Sequence, residues 1–158
     1  MSLWLVIVPF LFSILFFVYK GSGAKLLALI ASLILMGITG YAASTMAGDG
    51  MMQHMVDYPW ITDPMISFKL GIDGMSIILL MLSAVVLPII ILSTFDKPFS
   101  TGTNLYALIF LMIGSMNGVF MALDGLIFYI FWEMALIPIY FICAMWGGQN
   151  RINITIKF

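Results

Sequence analysis

The sequence predicts an all-α, polytopic membrane protein, and three observations carry that prediction. Of its 158 residues, 63% are hydrophobic and 8% are charged, whereas an average soluble domain is about 45–50% apolar and about 25% charged. The charges are gathered between five long apolar runs: residues 1–19, 26–48, 74–95 and 98–123 carry none, and 125–150 carry only Glu133. Within those runs Leu, Ile, Met, Phe and Ala follow one another without the alternation over about 10 residues that a membrane β-strand needs. About 20 apolar residues in a helix cross a hydrocarbon core about 30 Å thick, so each run is long enough. Too few charges remain to cover a soluble fold, and a net charge of −1 gives no pull toward nucleic acid. The single Cys143 excludes a disulfide framework and a cysteine metal cluster.

The first predicted helix covers about 2–19. It reads as a retained helix and not as a signal peptide, because its first charge, Lys20, follows the apolar run instead of preceding it. The second covers about 25–44 and is followed by the largest non-membrane segment, about 45–72. That segment begins AGDG and holds Tyr58-Pro59-Trp60 and Asp63-Pro64, which punctuate turns. It reads as a loop too short for a core of its own. The third helix covers about 73–94, with Asp73 placed to cap its N-terminus and complement its dipole. A connector over 95–103 leads to the fourth, about 104–123, with Thr103 or Asn104 as its predicted cap. Asp124-Gly125 is a tight turn, so the fourth and fifth helices, the latter over about 125–146, should form an antiparallel hairpin. Gly147-Gly148 ends the fifth, and NRINITIKF begins a new apolar rise, which reads as a single membrane domain cut from something longer.

Orientation follows from basic residues near helix ends. Lys20, Lys25, Lys97, Arg151 and Lys157 fall on one side, and Lys69 alone on the other, so five of the six basic residues share a side. This places the N-terminus outside and the 45–72 loop with it. Trp4, Tyr19, Tyr41, Tyr106 and Trp146 lie near helix ends, where aromatic rings settle at membrane interfaces.

Glu133 is the residue that most needs explaining. It lies roughly 13 Å into the fifth helix at 1.5 Å per residue, close to the midplane. An acid there costs about 2.5–3.5 kcal/mol or more, and such residues mark ion and proton paths. Desolvation favours the neutral acid and a nearby cation favours the ionised one; a carboxyl between those pressures can load and release a proton. Tyr129, Ile137 and Tyr140 share its helix face by the i−4, i+4, i+7 spacing. Pro138 lacks an N–H, which leaves the Met134 carbonyl free within a turn of the acid. The hairpin brings residues near 116 to the same depth, so Ser115 and Asn117 are the expected polar partners from the fourth helix. The alternative is that Glu133 merely packs against a neighbouring subunit.

Other signals are weaker. Met46, Met51, Met52, His54, Met55 and Met65 offer soft donors, but the chain has 14 Met in all and most read as apolar filler. No metal site is predicted, His54 reads as a solvated loop residue, and Cys143 as a small packing residue.

The block FYIFWEMALIPIYFICAMWGGQNRINITIKF, with LGIDGMSIILLMLSAVVLPIIILS and GVFMALDGLIFYIFWE before it, resembles the chain M family of proton-pumping NADH:quinone oxidoreductase, respiratory complex I. The resemblance covers about 70–158. It implies part of a fourteen-helix, antiporter-like fold in an energy-transducing membrane, such as the bacterial inner membrane. It implies that Glu133 matches an essential proton-pathway glutamate, paired in the family with a lysine on a later helix. It implies no cofactor on this chain, with FMN, iron–sulfur clusters, NADH and quinone held by other subunits, and the other membrane-arm subunits and the lipid bilayer as partners. The competing readings are a subunit of an Mrp-type cation/proton antiporter and a purely structural membrane subunit.

Overall fold

The computed structural model of the protein describes residues 1–21, 23–47, 51–61, 66–96, 102–148 and 150–157. Asp49, Asp63-Pro64, Met65, Lys97, Pro98 and Phe158 lie outside the described residues. The five apolar runs form α1 (Ser2–Val18), α2 (Ala24–Ser44), α3 (Gly74–Ser93), α4 (Gly102–Met121) and α5 (Gly125–Trp146). Four of them, counting α4 from Thr103, have the length and hydropathy to cross a membrane; α1 is an apolar helix of 17 residues, just short of that length.

Two of the helix starts are capped by acids. Asp73 is extended and its Oδ1 accepts the Ser76 N–H at 2.7 Å. That bond holds the Asp73 carboxyl below the usual carboxylate range. Asp124 accepts the N–H groups of Leu126 and Ile127 at 2.9 and 3.3 Å, which makes the predicted tight turn between α4 and α5. The predicted cap of α4 is corrected: the helix already begins at Gly102, so Thr103 and Asn104 stand inside its first turn.

The helix α4 is central, with α1 packed on one side and α5 on the other, while α2 pairs with α3. Small residues allow the close approach. A Cβ on Gly114 would sit 3.3 Å from Pro9, and one on Gly118 would sit 2.4 Å from the Phe131 ring. One end of the bundle is filled by Phe16, Ala28, Leu35, Leu87, Ile91, Tyr106 and Phe110. Tyr106 is not the interfacial ring its position suggested. It is 1% exposed, its hydroxyl 2.7 Å from Thr94 Oγ1, which joins the end of α3 to the start of α4.

The 45–72 segment, expected as a plain loop, contains regular structure inside the otherwise helical fold. It holds an antiparallel hairpin, β1 (Gln53–Ile61) and β2 (Ile66–Ile72), pairing Tyr58 with Phe68 and Asp57 with Lys69. The last residues of β2 close one end of the bundle. Leu70 and Ile72 are both 0% exposed, and they pack with Leu5, Leu80, Met121, Ile127 and Phe131. The Leu123 N–H donates to the Lys69 carbonyl at 3.0 Å, so the α4–α5 turn is sewn to β2. His54 is likewise not a solvated loop residue. It is half-buried at a strand irregularity with φ of 52°. Its carbonyl accepts from Ser2 Oγ at 2.7 Å and its ring lies 3.2 Å from Thr45 Oγ1, which ties the hairpin to α1 and α2. Beyond α5 a short α6 (Arg151–Lys157) exposes Ile152, Ile154 and Ile156.

Candidate functional site around Glu133

The buried face of α5 carries Ile127, Phe131, Ala135 and Pro138. Phe131 lies flat against Gly118 of α4, so this is the face turned into the bundle. At about 100° per residue, Glu133 falls on the other side, and it is exposed. The expectation that it faces the interior of this bundle is therefore corrected. Tyr129, Ile137 and Tyr140 share its outward face, as the spacing requires, and all are exposed. Tyr129 stands one helical turn before Glu133 on that face. On the other side Glu133 shares a shallow groove of about 330 Å³ with Leu136, Ile137, Tyr140 and Phe141. Tyr140 stands edge-on to Phe141, ring centroids 5.7 Å apart.

The partners expected from α4 turn elsewhere. Asn117 Nδ2 donates to the Leu5 carbonyl at 2.8 Å, and Ser83 Oγ lies 3.3 Å from Asn117 Oδ1. Ser115 Oγ donates to the Leu111 carbonyl within its own helix. Both residues are buried, and neither reaches Glu133. Asn117 is on the α1 and α3 side of α4, whereas Glu133 is on the far side of α5. Pro138 does lie in α5 but on its buried face, away from the acid. Cys143 is exposed and not a packing residue.

The structure thus brings Glu133, Tyr129 and Tyr140 onto one surface and separates Asn117, Ser115 and Pro138 from it. A carboxyl and two phenols on an apolar helix face can bind, hold and pass a proton. Such a face is poorly served by hydrocarbon alone. It is suited to contact with further protein.

Sequence reasoning missed a second feature beside the site. Tyr58, Pro59, Trp60 and Phe68 of the hairpin meet Ile127, Ile130, Phe131 and Met134 of α5 around an apolar groove of about 430 Å³. The available signal was two short runs rich in aromatic and β-branched residues flanking a Pro-containing turn.

No family model matches the chain. Individual proteins do. It is 36% identical over 156 residues to F(420)H(2) dehydrogenase subunit M of Methanosarcina mazei, covering 98% of this chain and 32% of that protein. It is 32% identical over 171 residues to NADH-quinone oxidoreductase subunit M of Escherichia coli, covering 98% of this chain and 33% of that one. The subunit M of Rhodobacter capsulatus is 37% identical over 155 residues, covering 92% of this chain and 29% of its own length. A chain in the structure of respiratory complex I from Thermus thermophilus with bound NADH superposes with a TM-score of 0.85 at 24% identity, over 98% of this chain and 31% of that one. The chain spans about a third of the length of these relatives. Along nearly all of its length the chain is thus similar to part of the subunit M proteins of these dehydrogenases, and its fold is that of part of a chain in respiratory complex I.

Proposed function

We propose that this chain is part of the proton-translocating membrane subunit of a quinone-reducing dehydrogenase of the complex I type, and that Glu133 carries the proton. The observation that supports this reading is the placement of Glu133 near the middle of a 22-residue apolar helix, on its outward face, in a chain similar to part of the subunit M proteins. A carboxyl held there exists for a partner. A cation brought close keeps Glu133 ionised, and when it withdraws, the low dielectric drives the carboxylate to take a proton. Proton uptake and release thus follow movement of charge elsewhere in the assembly, and redox chemistry on other subunits drives that movement. In this reading FMN, iron–sulfur clusters, NADH and quinone belong to those subunits. The membrane-arm subunits are the neighbours that cover the exposed face of α5.

The same reading assigns the N-terminus and the hairpin to the outer side of an energy-transducing membrane, since Lys20, Lys25, Arg151 and Lys157 gather at the opposite helix ends. The test is Glu133→Gln in the assembled complex in sealed vesicles. Proton translocation should fall by at least tenfold while the complex still assembles. Translocation at the unaltered rate removes Glu133 from the path.

A further inference from the structure

His54 is the only histidine of the chain, and the hydrogen bonds around it decide which of its ring nitrogens carries hydrogen. The last turn of α2 sets the terms. Ala42 is fully buried, so its carbonyl has no access to water. The backbone donors beyond it go elsewhere: the Thr45 N–H to Tyr41 and the Met46 N–H to Ala43, each at 3.2 Å. The Ala42 carbonyl is served instead by the Thr45 hydroxyl, at 2.9 Å. A hydroxyl has one hydrogen to give, and that one is committed. Thr45 Oγ1 can therefore only accept from His54 Nε2, 3.2 Å away. This puts the hydrogen of the neutral ring on Nε2 and leaves Nδ1 to take up and release the second one.

The same residue is bound through its backbone. The His54 carbonyl accepts from the fully buried Ser2 of α1 at 2.7 Å. Its φ of 52° is a conformation that histidine adopts more readily than most residues other than glycine. Beside it, the Gln53 side-chain amide accepts the Ala47 N–H at 3.0 Å and donates to the Ala47 carbonyl at 2.8 Å. The first two residues of β1 are thus strapped across the start of α1 and the end of α2.

Few charges surround the ring. Apart from the Met1 amino group, the start of α1 has none, and residues 41–47 at the end of α2 have none. The titratable side chain there is the exposed phenol of Tyr41. In the hairpin, Asp57 is paired with Lys69 at 2.9 Å, and Asp73 after β2 is engaged by the Ser76 N–H. The two helix ends act on a positive ring with opposite signs, the start of α1 against it and the end of α2 for it.

We propose that His54 is the pin of a strap that keeps the hairpin fastened to α1 and α2 whether its ring is neutral or cationic. Nε2 bears hydrogen in both forms, so Thr45 is held in both, and only Nδ1 changes. The hairpin therefore stays closed over the bundle end when the outer side turns acid. That this side turns acid rests on the proposed translocation; the strap does not.

The experiment uses the full chain in phospholipid vesicles, labelled with ¹⁵N in its one histidine ring, between about pH 5 and 8, the range over which a histidine changes charge. Nε2 should resonate as a hydrogen-bearing nitrogen throughout, while Nδ1 alone changes type. Exchange of the β1 amides with water, corrected for the intrinsic effect of pH, should stay within about twofold. Thr45→Val removes the acceptor and should speed exchange at the start of β1 about tenfold at both ends of the range. Thr45→Ser keeps the hydroxyl and should not. His54→Gln, whose amide nitrogen reaches about as far as Nε2 and does not titrate, should hold β1 better than His54→Asn, which suits the backbone but stops short. A bare Nε2 at the neutral end overturns the proposal. So does a β1 that opens at one end of the pH range only, or a Thr45→Val chain whose β1 exchanges like the parent's. None of these readings needs translocation, so failure here leaves the Glu133 reading untouched.

Discussion

The side-chain amide of Asn117 donates to the backbone carbonyl of Leu5 at 2.8 Å, the carbonyl that Pro9 leaves without a helical partner. Pro9 sits inside α1 and has no N–H to return to the fourth residue before it. In a bilayer such an orphan acceptor has no water to turn to. Asn117, buried at the α1–α4 contact, supplies the missing donor. The same proline chemistry that drew attention to Pro138 in α5 is thus used at Pro9 to hold two helices together.

Replacing Asn117 with Leu should destabilise the chain by about 0.6–1.7 kcal/mol, the range for interhelical hydrogen bonds in membranes. Pro9→Ala gives Leu5 back an intrahelical donor, so in that background the Asn117→Leu loss should shrink. A double-mutant cycle in reversible unfolding from detergent micelles measures the difference. Equal losses in both backgrounds would mean that the Leu5 carbonyl is not what Asn117 serves.

Gly118 is held at zero side-chain volume by Phe131. A methyl group there would lie 2.4 Å from the ring, and the ring is clamped between α4 and α5 with Phe68 6.4 Å away. Gly118→Ala should therefore cost about 1–3 kcal/mol of stability, the usual range for overpacking. Phe131→Leu in the same chain should recover part of it. Thermal unfolding of the two single variants and the double variant checks this, and an undiminished melting temperature for Gly118→Ala would contradict it.

Asp73 predicts a pH dependence. Its bond from the Ser76 N–H lowers the carboxyl's pKa in the folded chain relative to the unfolded one. The stabilisation is therefore fully present above the unfolded value, near 4, and is lost as pH falls through the lower folded value. Asp73→Ala should lose about 1 kcal/mol at neutral pH, and the gap to the parent should close in strong acid. Asp73→Asn keeps a cap that does not titrate, so its stability should be less sensitive to acid. Stability curves of the three chains from pH 2 to 7 would show it.

Glu133→Leu separates a functional acid from a structural one. Removing the carboxyl from the middle of α5 should favour membrane insertion of that helix by about 3 kcal/mol, readable as the inserted fraction of an α5 segment. Proton translocation by the complex should be lost all the same. A Glu133→Leu complex that inserts better and also translocates normally would favour the structural-subunit reading.

Some of this protein was readable residue by residue. Charge-free runs mark the helices because the bilayer accepts nothing else at that length, and α5 matches its predicted ends at Gly125 and Trp146. The 3.6-residue period alone puts Tyr129, Glu133 and Tyr140 on one face. The Asp73 cap and the Asp124 turn follow from local chemistry. The hairpin was harder to see, because His54, Asp57 and Lys69 make its segment look like a polar loop, and Leu70 and Ile72 show their purpose only once a bundle end exists to receive them.

Which face of each helix meets protein was decided by tertiary packing alone. Lipid tails are as apolar as Leu, so a membrane helix need not carry an amphipathic pattern that tells its buried side from its lipid side. For that reason Tyr106 looked interfacial and is buried, Glu133 looked inward and points out, and Asn117 serves a carbonyl 112 residues away instead of the acid beside it in depth. Local sequence determines where backbone needs a donor or a cap. Only the folded bundle determines which distant side chain arrives to provide it.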